Sequence, residues 1–217
     1  MDILKVKGNR MRTYPLETHN RKHGPSGFLQ YQSFKPWLRD EFSFRCIYCL
    51  ERERWYPNGH HAFGVDHAKP KGNPLFAYLE CDYDNLLYAC NRCNSSKGRA
   101  ELIDPTETAF GNHITIDIDG KIRGLSNEGK FLISVLSLDA EWITRIRQRY
   151  LGIAMLYQRY ADDPDVAELY FDAFGYPPDL PDLTVLRPAK NDRPEGLEQS
   201  YWAMNSRNAL DRVYETR

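Results

Sequence analysis

A carboxylate and an imidazole stand side by side at Asp66-His67, between two Cys-x-x-Cys pairs, Cys46-Ile47-Tyr48-Cys49 and Cys90-Asn91-Arg92-Cys93. Asp66 offers the hard oxygen that suits Mg2+ or a similar ion. His67 is the side-chain type whose ordinary pKa suits proton transfer near neutrality. Asn94 follows the last cysteine directly. It reads either as a helix N-cap or as a carboxamide oxygen on the same ion as Asp66. Lys97, three residues on, shares a helix face with Asn94. It reads as a phosphate contact near the positive helix end or as a solvated surface lysine. Asn85 reads as a residue that fixes loop shape or as an ordinary turn residue. Adjacent residues on a regular strand point to opposite faces, so Asp66 and His67 serve one site only where the strand kinks or ends. Pro70, shortly after, makes that plausible.

The elements that position these groups begin with the cysteines. Four thiolates presented from two tight turns make the closed tetrahedral shell of structural zinc, with no open position for water. The 40 residues between Cys49 and Cys90 exceed the roughly 15–20 of a plain zinc ribbon, so a folded segment must sit inside the clamp. Gly64 and Pro70 bracket a short strand there. His60 and His61 follow Asn58-Gly59 and read as exposed imidazoles. The fifth cysteine, Cys81, reads as a free and buried thiol.

Around this stretch the pattern is coarser. Residues 1–27 read as an extended or irregular arm rich in Lys and Arg. Residues 28–44 read as an aromatic-rich packing helix. His113 to Ile118 alternates, and Asp119-Gly120 then signals a hairpin. Residues 127–138 and 140–161 read as helices. In the second, Ile143, Ile146, Tyr150, Ile153 and Tyr157 form one apolar stripe, with Arg145, Arg147, Arg149 and Arg159 on a solvated basic side. A short acidic helix runs from Asp165 to Phe174. A Pro-rich tail follows, irregular until a short helix near Trp202 to Tyr214.

No apolar run approaches the ~20 residues of a membrane span, and Met1-Asp2-Ile3-Leu4-Lys5 lacks the core of a signal peptide, so the expected location is cytoplasmic. Net charge is only −1, yet it is segregated. Residues 1–40 carry 8 Lys/Arg against 3 Asp/Glu, and residues 100–217 carry 13 against 20. A basic front half is compatible with phosphate contacts near the motif.

Taken together, Cys46-x-x-Cys49, Asp66-His67, Asn85 and Cys90-x-x-Cys93-Asn94-x-x-Lys97-Gly98 resemble the HNH endonuclease family in its zinc-stapled form. The resemblance covers residues 44–104, about a quarter of the chain. It implies an α+β fold: a ββα-metal core stapled by the cysteine knuckles, with an added β-hairpin and a helical C-terminal extension. It also implies that His67 is the general base, that Asp66 and Asn94 bind the catalytic Mg2+ or Mn2+, and that Asn85 orients the loop. Asn94 stands where the family name has its last His, a variant the family tolerates. Lys69 and Lys97 are the candidate phosphate contacts.

The implied reaction is phosphodiester hydrolysis, with DNA as the expected substrate. The expected divisions are an arm and packing helix over 1–43, the nuclease core over 44–104, a hairpin and helical extension packed on the core over 105–175, and the tail over 176–217. The C-terminal half resembles extensions on bacterial HNH proteins, some linked to defence against phage. Two alternatives use the same residues differently. One is an effector nuclease that is inactive until a partner such as an ATPase engages it. The other is a non-catalytic zinc module that binds nucleic acid, which has no use for Asp66, His67 and Asn94 together.

Overall fold

In the computed structural model, described over residues 14–188, 191, 193 and 196–211, ten elements follow one another. They are helix α1 (Lys35–Glu41), strands β1 (Phe63–His67) and β2 (Leu86–Cys90), helix α2 (Asn91–Lys97), strands β3 (Ile114–Ile116) and β4 (Ile122–Gly124), and helices α3 (Asn127–Leu136), α4 (Glu141–Arg159), α5 (Pro164–Phe174) and α6 (Tyr201–Ser206). The fold is α+β. One compact unit comprises Asn20–Glu101 with Tyr176–Leu210; the other takes Leu102–Gly175 and, among the described residues, 14–19 and Asp211. The expectations for residues 1–13 and for the helix end at Tyr214 lie outside the described residues.

The first unit holds the motif. β1 and β2 form an antiparallel pair from Phe63 opposite Cys90 to His67 opposite Leu86. Every residue of β2 is buried, which explains its unbroken apolar run Leu86-Leu87-Tyr88-Ala89-Cys90. Stacking of Phe63 on Tyr88, with ring centroids 5.2 Å apart, pins the register from one face. The helix expected over 28–44 is shorter: a 3-10 turn (Tyr31–Phe34) leads into α1. Pro36 near its start accounts for that late beginning, since proline is at home only in a helix's first turn. Phe34, Trp37 and Leu38 are fully buried, so these aromatics are core.

The Pro-rich tail belongs to this unit and is tied down by polar contacts. Trp37 Nε1 donates to the Leu186 carbonyl at 3.2 Å, and Arg54 Nη1 to the Tyr176 carbonyl at 3.1 Å. The Tyr201 amide donates to Asp40 Oδ2 at 2.7 Å as α6 begins.

The second unit contains the expected hairpin, β3 on β4, turned at Asp119-Gly120, with Gly120 at φ +79°. Ser126 caps α3 through its hydroxyl, which accepts from the Gly129 amide at 3.1 Å. α4 and α5 meet through Tyr157 and Tyr170, stacked 4.0 Å apart. One expectation is corrected here. Arg147 is buried, donating to the Gly120 carbonyl at 3.2 Å and the Leu138 carbonyl at 2.5 Å. The planar guanidinium carries several donors in a fixed fork, so one side chain reaches both carbonyls.

Candidate functional site

Cys46, Cys49, Cys90 and Cys93 are all buried, and their sulfurs lie within 4.8 Å of one another. None forms a disulfide. Cys49 Sγ and Cys90 Sγ are 3.7 Å apart. That is far beyond an S–S bond of about 2.05 Å, and close to the edge of about 3.8 Å in a tetrahedron built on Zn–S bonds of about 2.3 Å. The donor set therefore fits zinc in a closed shell. The chain delivers the first pair on a tight turn in which Leu50, at φ +63°, donates to the Cys46 carbonyl at 3.0 Å. The Ile47 amide donates to the Tyr88 carbonyl at 3.0 Å, fastening that turn to β2. The second pair begins α2, with Cys90 as its cap: Cys90 Sγ accepts from the Cys93 amide. Asn94 is thus inside the helix rather than its N-cap. The remaining cysteine, Cys81, is half-buried, and burial raises its thiol pKa above the ordinary value.

β1 runs regularly to His67 and ends there, and Asp66 and His67 meet different neighbours. Asp66 is buried, with Oδ2 accepting from the Tyr48 hydroxyl at 2.6 Å and Oδ1 from Lys97 Nζ at 3.2 Å. Burial, reinforced by the Asp66 carboxylate, keeps the Tyr48 phenol far above its ordinary pKa, so it remains a donor. The His67 ring packs edge-on against Tyr31 at 4.8 Å, and Nε2 sits 3.0 Å from the Glu80 carbonyl. A carbonyl only accepts, so Nε2 carries the proton in the neutral ring and Nδ1 presents a lone pair. Among the described residues, no side chain bonds Nδ1. Burial holds the His67 pKa below the ordinary histidine value; the Glu80 carbonyl and Asp66 oppose this, while Lys71 and Lys97 add to it.

Asn85 closes the loop between the strands. Its Oδ1 accepts from the Lys69 amide at 2.7 Å, and its Nδ2 donates to the carbonyls of Lys69 at 3.1 Å and Leu79 at 3.2 Å. Its own carbonyl accepts from the Ala68 amide at 2.8 Å. The residues just past His67 and those leading to Glu80 are therefore held by one side chain, which fixes the carbonyl on Nε2.

α2 lies against β1. Asn94 Nδ2 donates to the Val65 carbonyl at 3.2 Å, and Asn94 Oδ1 has no protein donor among the described residues. The helix side chains close over Gly64, where a Cβ would make ordinary contact at 3.4 Å from Asn91 Oδ1 and 3.6 Å from Asn94 Nδ2. Lys97 is neither a surface lysine nor aimed at a phosphate in this structure. Its side chain is 1% exposed, and its ammonium bonds the Asp66 carboxylate and the His67 carbonyl, the latter at 2.6 Å. A buried ammonium needs such partners. Lys69 is half-exposed, 3.9 Å from Glu101. His60 and His61 stack on each other at 4.0 Å, and His60 faces Asp179 at 3.6 Å, so neither joins the Asp66 cluster.

Sequence reasoning missed Tyr48, Tyr31 and the Glu80 carbonyl. Tyr48 lies inside the first cysteine pair, where only the tertiary fold shows which way its hydroxyl points. Tyr31 reads locally as one more core aromatic. A backbone carbonyl has no sequence signature at all.

Two comparisons with known proteins bear on this geometry. Residues 46–100 match the family described as HNH endonuclease. The chain is also similar to the Septu protein PtuB of Bacillus thuringiensis, 31% identical over 103 residues, which are 44% of this chain and 37% of that protein. The chain thus spans well under half the length of that relative.

Proposed function

We propose that the chain, whose residues 46–100 match the HNH endonuclease family, is a nuclease that hydrolyses phosphodiester bonds of DNA. His67 is the general base, and Asp66 and Asn94 hold one Mg2+ or Mn2+. The observation that carries this reading is the clamp on His67. With Nε2 fixed on the Glu80 carbonyl and its pKa held down by burial, Nδ1 is a lone pair of fixed direction on a ring that is neutral at pH 7.

Asp66 and Asn94 fit a hard divalent ion. One carboxylate and one carboxamide oxygen, completed by waters and phosphate, are a usual Mg2+ donor set. Among the described residues each Asp66 oxygen accepts a single hydrogen bond, which leaves lone pairs for a metal. When bound there, the ion stabilises negative charge on the phosphate and on the departing oxygen. His67 Nδ1 removes a proton from water, the resulting hydroxide attacks phosphorus, and the P–O3′ bond breaks; the 3′ oxygen takes a proton from solvent and His67 returns its proton to solvent, leaving a 3′-hydroxyl and a 5′-phosphate end. Asn85 keeps the Glu80 carbonyl in place through this cycle. Lys69 contacts the phosphate backbone, and Lys97 joins it once freed from Asp66. Zinc on the four cysteines is structural.

Purified protein tests this on supercoiled plasmid. Nicking with Mg2+ that disappears with EDTA and in His67→Ala supports the reading; nicking that persists in His67→Ala rejects it.

The similarity to Septu PtuB supports a second, narrower reading. Here the nuclease is an effector in defence against phage, weakly active until an ATPase partner brings it to its target. It is distinguished by plasmid cleavage that appears only on adding a co-encoded ATPase.

A further inference from the structure

The same buried carboxylate oxygen that a divalent ion would use is already held by a cation of the protein itself. Lys97 Nζ lies 3.2 Å from Asp66 Oδ1, with both side chains almost fully enclosed, at 1% and 6% exposure. The other oxygen, Oδ2, takes the Tyr48 hydroxyl at 2.6 Å. These two donors differ in kind. Tyr48 is neutral, stiff and fully buried between Cys46 and Cys49, so its hydrogen bond is compatible with a metal on the opposite oxygen. Lys97 is charged, and two cations on one oxygen repel at contact distance. Lys97 is also the last residue of α2, and Gly98 breaks the helix immediately after it at φ +53°. A four-carbon stem leaving a helix terminus can swing its ammonium away from Asp66, giving up its bond to the His67 carbonyl as it does so.

We propose that Lys97 is a built-in competitor for the divalent ion at Asp66, holding the carboxylate until metal displaces it, while Tyr48 on the zinc knuckle keeps that carboxylate aimed. The proposal rests on the assignment of the ion to Asp66 and Asn94. The cluster then stays charge-balanced without metal, and metal loading frees an ammonium beside the site.

The test uses the zinc-loaded full chain without nucleic acid, with Mn2+ binding read from the free-ion electron paramagnetic resonance signal. Lys97→Met should bind Mn2+ tighter by roughly tenfold or more, the size expected when a like charge is removed from the same carboxylate. Tyr48→Phe should bind it more weakly by about 10–100-fold, the usual effect of losing a partner that orients a metal ligand. Unchanged or weaker binding in Lys97→Met, with zinc content and circular dichroism of the wild type, overturns the proposal.

Where Lys97→Met does not fold, wild-type protein serves. An amine acetylating reagent, read by peptide mass spectrometry, should modify Lys97 only once Mg2+ is added; equal modification with and without Mg2+ overturns the proposal. Asp66→Asn separates the two levels. If wild type binds no Mn2+, or binds it equally well after Asp66→Asn, the ion assignment falls and takes this inference with it. If Asp66→Asn abolishes binding and Lys97→Met leaves it unchanged, only the competitor role falls.

Discussion

The Tyr48 hydroxyl donates to Asp66 Oδ2 at 2.6 Å, and Tyr48 sits between two of the four clustered cysteines. The sulfur clamp and the carboxylate are therefore one hydrogen bond apart. A cysteine cluster that fits a bracing zinc is thereby coupled to the position of the Asp66 carboxylate.

Removing one zinc ligand should show both effects. Cys46→Ser opens the closed shell, and binding energy lost there is folding energy lost. The variant should contain less than one zinc per chain by atomic emission and melt well below the wild type. A wild-type melting curve with no bound zinc would show that the cysteines need no ion.

His67→Ala should lower plasmid nicking by at least ~10²–10⁴-fold, the usual worth of general base catalysis. Its side chain bonds a single carbonyl, so zinc content should remain that of the wild type. Imidazole added to His67→Ala should restore part of the rate if the missing group is a base.

The pH profile follows from the same ring. A general base works in its neutral form, and burial makes protonation of His67 harder, so its folded pKa lies below the ordinary value of about 6.5. Activity should be full at neutral pH, persist somewhat below pH 6.5, and fall as pH drops through the lowered pKa. A rate that falls instead as pH rises from 6 to 8 would assign the ring to the protonated form.

Asn85→Ala deletes three partly buried hydrogen bonds to the loop and takes away the acceptor of the Lys69 amide, while the Leu79 carbonyl keeps the Asp82 amide. Urea denaturation should report a loss of about 1–3 kcal/mol, the range for buried groups left unsatisfied. The rate should fall as well, because the Glu80 carbonyl is no longer held. Equal stability with an unchanged rate would mean that the loop keeps its shape by other contacts.

Much of this site was legible in residue order. Two Cys-x-x-Cys pairs 40 residues apart, with Asp66-His67 between them and Asn85 and Asn94 at either side of the second pair, depend on short-range chemistry that spacing encodes. The Asp119-Gly120 hairpin and the helices after it were legible for the same reason: periodicity and turn residues act locally. Three things were not. Lys97 read as solvated or phosphate-facing because its partner Asp66 lies 31 residues away, beyond the reach of any local pattern. Arg147 read as part of a wet face because its acceptors are backbone carbonyls, which every residue has. Tyr48 carries no local sign of where its hydroxyl points, and its acceptor Asp66 lies 18 residues away. Sequence thus determined which chemical groups the chain carries and the local elements that hold them. The tertiary structure decided which of those groups meet, because a long side chain takes its partner from what the fold brings within about 3 Å, and residue order does not contain that distance.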